Sequence, residues 1–341
     1  MSKITTQHQV YVPAATRHSY GEFNLYGKLR EVAVGYSQNF RLPVLTEEVK
    51  ATYQSVLQPD LYDLCEKAGG QLLSHASPSF SAALERENDA LIKAFQDFGI
   101  KVHQAREVSE EEIAACQRTN VFTQIFAAEP IWVVGRNVLE NVWASDMSWA
   151  SIAPVRELHL PFIDGDNHVL HYTAPRPTLN RDYIYEGGDV LNLGDGRILV
   201  ATGPSSTNAR GAEWVKRMLE HDGYQVCITE VEDTGIHHLF AVMCVAGPKL
   251  VIAYRDAFPN GLPEFMDDFD VVWANREEAL ATGPCAVMLD ESHILMPEET
   301  PALNRKLEAK GLTVVTVPFS HHAKLCGGMR CKTSVLRRDI H

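Results

Sequence analysis

Along this chain the spacing of apolar and polar positions changes period repeatedly, and each change marks an element. Residues 31–35 are a short apolar run ending in Gly35, which predicts a strand. Helical spacing follows over 46–65, with Thr46 as N-cap, and more strongly over 79–98, closed by Gly99; residues 101–103 then predict a strand. Within 130–140, two short strands are predicted, joined at Gly135-Arg136-Asn137. Similar hairpins are predicted from 189–193 with 197–200, and from 285–289 with 293–296. Each of these leads into a helical segment (208–219, 301–310) and then a strand (225–228, 313–317). The order strand, turn, strand, helix, strand therefore recurs, which predicts a ring of similar α/β modules. Residues 1–28 lack clear periodicity and predict an arm over the surface. No stretch rich in Gly, Ser or Pro divides 29–341, which predicts one domain.

Composition narrows the function. With 45% hydrophobic residues the chain has material for a large core, and 31 Lys and Arg against 44 Asp and Glu give a net charge of −13. That balance argues against a nucleic-acid partner. Apolar runs fall far short of the roughly 20 residues a membrane helix needs, and the first residues have no secretory apolar core. A cytosolic protein without a membrane partner is expected. Seven cysteines, odd in number and without a C-x-x-C pair, indicate neither a disulfide framework nor a zinc site. His321-His322 is read as an extended pair whose side chains point to opposite sides, so no metal is expected there.

Three polar clusters fall at module edges. Glu186-Gly187-Gly188-Asp189 precedes one apolar strand, and its glycines would let carboxylates approach a ligand closely. His237-His238 precedes another. Cys331 follows a glycine pair and lies between Arg330 and Lys332, either of which could stabilise a thiolate nucleophile. Taken singly, each has a plainer reading: a turn, a hydrogen-bonded or surface histidine pair, a small buried thiol. Together, a carboxylate, an imidazole and a thiol could converge on one axial cavity.

The combination of EGGD, a His-Leu before an apolar strand and GG-x-R-C near the C-terminus resembles the guanidine-modifying enzymes of the pentein fold. These are the arginine deiminases, dimethylarginine dimethylaminohydrolases and arginine amidinotransferases. The resemblance spans about 29–338. Residues 30–35, 48–51, 133–137, 173–178 and 326–333 look most like glycine-type amidinotransferases; residues 186–191, 207–213, His238-Leu239 and 246–248 look more like the dimethylarginine hydrolases. What the resemblance implies is a five-bladed α/β propeller, with 29–341 as its single catalytic domain and the reaction on its axis. Cys331 would attack the guanidinium carbon to form an S-amidino intermediate. His238, with His237 as fallback, would protonate the departing amine and activate the next nucleophile, and Glu186 would hold guanidinium nitrogens and the charged imidazole. Glu129, in place of the usual Asp, and Asp189 would add acceptors for the planar cation.

Two departures bear on the substrate. Phe240 stands where His-x-Asp enzymes place an Asp, and could stack on a guanidinium or line a pocket for a substituted one. Ser206 replaces the arginine that the dimethylarginine hydrolases place before Thr-Asn, leaving Arg255 as the candidate for a substrate carboxylate. The longer amidinotransferase-like segments favour transfer of an amidino group from a small guanidino donor to an amine acceptor. A hydrolase releasing a ureido product is the alternative, and a non-catalytic pentein that binds a partner is the third. The chemistry requires no metal or organic cofactor. Assembly as a homo-oligomer stays open.

Overall fold

The structure is a computed structural model that describes residues 20–47, 49–50, 57–115, 122–144, 146–173, 182–203 and 206–340. Its strands, in chain order, are β1 (Leu29–Val34), β2 (Lys101–Gln104), β3 (Ile131–Val134), β4 (Asn137–Glu140), β5 (Leu170–Tyr172), β6 (Val190–Gly194), β7 (Arg197–Thr202) and β8 (Gln225–Glu230). They continue as β9 (Met243–Gly247), β10 (Leu250–Tyr254), β11 (Asp270–Ala274), β12 (Val287–Met288), β13 (His293–Pro297), β14 (Thr313–Val317) and β15 (Thr333–Arg338). Among the described residues they form five three-stranded sheets: β3-β4-β5, β6-β7-β8, β9-β10-β11, β12-β13-β14 and β15-β1-β2. The expected five-bladed α/β propeller is therefore present.

Every blade repeats one pattern. The first strand pairs antiparallel with the second, and the third runs parallel to the second. First strands lie nearest the axis: β3, β6 and β9 are buried at every residue, whereas β5, β8 and β11 carry exposed positions. A parallel third strand needs a long crossover, which helices Pro78–Asp97, Ile152–Asp164, Ala209–His221 and Pro301–Glu308 supply in four blades. The helix Ala209–His221 shows why these segments fold as they do. Asn208 caps it by accepting the Gly211 N–H at 2.8 Å, and Ala212, Val215 and Leu219, spaced for one face, are buried. Between β10 and β11 the crossover holds only the short 3₁₀ turns Arg255–Ala257 and Glu264–Met266.

The ring is closed by strands from opposite ends of the sequence: β15 pairs with β1, Val335 opposite Val32 and Thr333 opposite Val34. The surface arm expected over 1–28 is corrected where it is described. Tyr20 and Gly21 bridge to Arg337, Glu22 bridges to Gly135, and Tyr20, Glu22, Asn24 and Leu25 are all buried. This segment passes through the molecule because its aromatic and apolar side chains complete the ends of two blades. Residues 1–19 lie outside the described residues, as do 48 and 51–56 of the helix expected over 46–65; of its described positions, 47, 49 and 50 are helical, 57–58 are not, and the helix Pro59–Ala68 follows. Positions 174–178 of the amidinotransferase-like stretch lie outside them too. His321 and His322 are not on an extended segment but in the short helix Ser320–Lys324. Both donate toward the single buried carboxylate of Glu87, with Nδ1 to oxygen distances of 2.8 and 2.9 Å.

Candidate active site

Each first strand is preceded by a turn that delivers a polar side chain to the axis. Glu129 stands two residues before β3, Glu186 four before β6, His238 five before β9 and Cys331 two before β15. The glycines of the Glu186 turn have a different purpose from the one expected. A Cβ on Gly187 would lie 2.4 Å from the ring of Trp132, and one on Gly188 would lie 2.4 Å from the ring of His238. They make room for these two rings rather than for a ligand. His238 itself has φ 73°, a left-handed conformation that costs a non-glycine residue about 1–3 kcal/mol. This bend brings the imidazoles of both His237 and His238 to one carboxylate.

The carboxylate is that of Glu186. Its Oε1 accepts the Ala144 N–H at 2.7 Å and its Oε2 lies 2.5 Å from His238 Nε2 and 3.7 Å from His237 Nε2. On the other face of the ring, His238 Nδ1 lies 3.9 Å from Glu129. Burial disfavours the charge on His238, but the Glu186 hydrogen bond and the fields of Asp189, Glu186 and Glu129 outweigh it and raise its pKa to about 9. Burial likewise opposes ionisation of Glu186, yet hydrogen bonds from His237 and His238 bring it down to about 2. Burial wins at Glu129, pushed up to about 7 despite the nearby imidazolium. The result is a charged imidazole between one firmly ionised acid and one that titrates near neutrality. Glu186, His237 and His238 each offer a ligand atom within 4.8 Å of the others, the set among the described residues that could approach a cation. The 2.5 Å contact marks a hydrogen bond, with no room for an ion between its atoms.

Cys331 is buried, and its backbone carbonyl accepts the Ala128 N–H at 3.0 Å, tying its turn to the one that carries Glu129. Burial pushes its thiol well above the usual value, and the field of Glu129 adds to the rise. The two cations expected to stabilise its thiolate do not do so. Arg330 Nη2 lies 2.7 Å from Glu22 Oε2, and the fully buried Lys332 ammonium donates to Ser37 and to the Gly35 carbonyl. In the short helix Met329–Lys332 successive side chains fan out, so neighbours of Cys331 point away from it.

The remaining expected residues take other places. Asp189 uses both oxygens on backbone, accepting N–H bonds from Thr207 at 3.0 Å and from Leu239 at 3.1 Å. It thereby clips the His238 turn to the neighbouring blade instead of presenting free acceptors to a ligand. Phe240 is buried 5.7 Å from the His238 ring and lines an axial cleft of about 310 Å³, open solvent included, with Met243, Met288, Arg330 and Arg338. Arg255 is exposed just past the end of β10, its guanidinium 3.6 Å over the ring of Trp273; no described contact ties it to Glu186, His238 or Cys331. A mouth of about 470 Å³, open solvent included, is lined by Asp189, Gly203, Ser206, Asp233, His237 and His238. One axial residue escaped the sequence reading: Cys285, two residues before β12, whose sulfur lies 3.4 Å from that of Cys331. Its signal was present, since both cysteines hold the same offset from a first strand.

Comparison with known proteins gives full-length relatives. The mitochondrial glycine amidinotransferase of Xenopus laevis is 24% identical over 365 residues, covering 93% of this chain and 82% of that protein. The same enzyme of Danio rerio is 23% identical over 384 residues, covering 98% and 86%. Among solved structures, an amidinotransferase of saxitoxin biosynthesis from Microseira wollei superposes with a TM-score of 0.78 at 18% identity, over 94% of this chain and 98% of that one. Inosamine-phosphate amidinotransferase from Streptomyces griseus gives 0.77 at 17%, over 95% and 98%. The dimethylarginine dimethylaminohydrolase of Pseudomonas aeruginosa gives 0.62 at 17%, over 91% and 99%. No protein-family profile matches the chain.

Proposed function

For a chain that is a relative of the guanidine-modifying penteins, we propose amidino transfer from a small guanidino donor to an amine acceptor through a covalent intermediate on Cys331. The observation that carries this reading is the buried set of Glu186, Glu129 and a protonated His238 at the axis, on the same ends of the blades as Cys331. A guanidinium is flat, cationic and rich in N–H donors, and two carboxylates on either side of an imidazole match that shape. The Cys331 sulfur attacks the central carbon, and the Nδ1–H of His238, on the ring edge that Glu186 does not hold, protonates the amine that leaves. Neutral His238 then accepts a proton from the incoming amine, which takes the amidino group and releases Cys331. Glu186 steadies the imidazole through both states.

The reading of transfer over hydrolysis draws support from the whole-chain likeness to amidinotransferases. Hydrolysis keeps one specific observation on its side: Phe240 leaves no carboxylate at a position where amidinotransferases usually have one. Mass spectrometry of products from a panel of guanidino compounds separates them. Transfer of the amidino group only when an amine acceptor is present supports the first; a ureido product without an acceptor supports the second. No helix among the described residues is long and apolar enough to cross a membrane. A cytosolic setting fits the six described cysteines, all free thiols, although the named relatives are mitochondrial.

A further inference from the structure

The reaction above leaves the proton of Cys331 without a destination. Burial keeps this thiol protonated before substrate arrives. His238 brings its own proton to the leaving amine, so it is not the base. Glu129 reaches Cys331 through its field, without a described hydrogen bond. The acceptor within hydrogen-bond reach is the sulfur of Cys285, 3.4 Å from the Cys331 sulfur.

Three features distinguish Cys285 from a packing neighbour. Ring repetition places it two residues before β12, as Cys331 is two before β15, so adjacent blades bring both sulfurs to the axis. Both side chains are buried. The Gly328–Cys331 turn packs against the Cys285 sulfur, and although burial opposes a charge there, the Cys331 thiol and the backbone N–H groups of that turn lower the Cys285 pKa. The turn is held in place by the Arg330 N–H, which donates to the Cys285 carbonyl at 3.1 Å. It also depends on Gly328, where a Cβ would lie 2.8 Å from the Cys285 sulfur. The other groups facing the pair are Glu129, the Cys244 thiol, whose Sγ donates to the Ala286 carbonyl at 3.4 Å, and Arg330, paired with Glu22.

We propose that Cys285 is a further catalytic residue, which holds the pair's negative charge at rest and takes the proton of Cys331 as the guanidinium binds. The inference rests on the covalent reading above. In this step the S–H bond of Cys331 breaks, an S–H bond forms on Cys285, and the electron pair left on Cys331 makes the bond to the amidino carbon. When the acceptor amine displaces Cys331 as thiolate, the proton passes back from Cys285 and the resting pair is restored. The nucleophile is thus generated without a proton leaving the closed axis.

The test uses chloroacetamidine, an amidine electrophile, with the wild type, Cys285→Ser and Cys285→Ala. Ultraviolet thiolate absorbance of the wild type should show one thiolate persisting below the ordinary thiol range, and both variants should lose it. Labelling of Cys331 near neutrality should slow about 100-fold in both variants, with the pH profile moved upward, the size expected for loss of a general base. Serine keeps the shape and a donor but cannot carry the charge. Wild-type labelling in Cys285→Ser, or rescue by serine of a rate lost in alanine, overturns the proposal and leaves Cys285 a packing or donor role. Wild-type protein that never labels at Cys331 removes the covalent reading itself, and with it this step.

Discussion

Glu186 and His238 meet across 2.5 Å with side chains only 3% and 4% exposed, and the charges they hold there are conditional on pH. The folded imidazole has its pKa raised from 6.5 to about 9, so its stabilising contribution is whole below 6.5 and is lost as pH rises through 9. Glu186 is lowered from 4.5 to about 2, so its contribution is whole above 4.5 and disappears as pH falls toward 2. For His238 alone, urea unfolding should show an alkaline loss of about 3–4 kcal/mol between pH 6.5 and 9, since each tenfold change in an ionisation constant is worth ~1.4 kcal/mol, beside the decline between pH 4.5 and 7 that the raised Glu129 contributes. His238→Gln should lack that alkaline loss, and turnover should fall above pH 9 as the leaving amine loses its acid. Cys331→Ala should abolish turnover of any guanidino substrate with an unfolding midpoint close to that of the wild type, because a buried methyl replaces a buried thiol. Glu186 and the His237-His238 pair were legible as residues because turn chemistry before an apolar strand is visible in order alone, whereas Glu129, and His238 over His237, came only through the family resemblance. The directions of Arg330 and Lys332 were not, because adjacency in sequence says nothing about which way a short helix turns its side chains.

Among elements, the hairpins were the most legible: tight turns between short apolar runs leave few alternatives, and β3–β4, β6–β7 and β12–β13 lie close to where the pattern predicts them. The helix Ile152–Asp164 was missed because Pro154 and Pro161 read as breakers; Pro154 falls in the first turn, where no N–H partner is lost, and Pro161 is carried inside. The crossover between β10 and β11 departs from the repeat because Pro259, Gly261 and Pro263 interrupt any helical run, leaving two 3₁₀ turns. The turn of Gly187–Asp189 is the element on which the axis depends, and it is tested by Gly188→Ala. Its new methyl would press on the His238 ring, and overpacking of this kind costs about 1–3 kcal/mol. A lower unfolding midpoint together with a lower kcat is expected, whereas Gly99→Ala, with open space around it but a φ of 70°, should lower the midpoint alone.

At the scale of the molecule, the ring was legible as a repeat, but its closure was not, since nothing local in 29–34 or 333–338 announces that these strands are partners. The buried segment over 20–28 belongs to the same problem: its contacts are to residues more than a hundred positions away. The Glu22–Arg330 pair ties that segment to the turn of the nucleophile. Removing one partner of a buried ion pair typically costs about 3–5 kcal/mol, so Glu22→Ala should lower the thermal midpoint measurably and slow Cys331 labelling as its turn loosens. Closure also sets an order of events. The Cys331 sulfur lies two residues ahead of the strand that seals the ring, so under the proposed reaction a chain still emerging from the ribosome already carries every acid and imidazole of the cradle but lacks its nucleophile. Chemical competence would then arrive together with closure of the ring, and a fragment cut short before it is expected to be inert toward amidines.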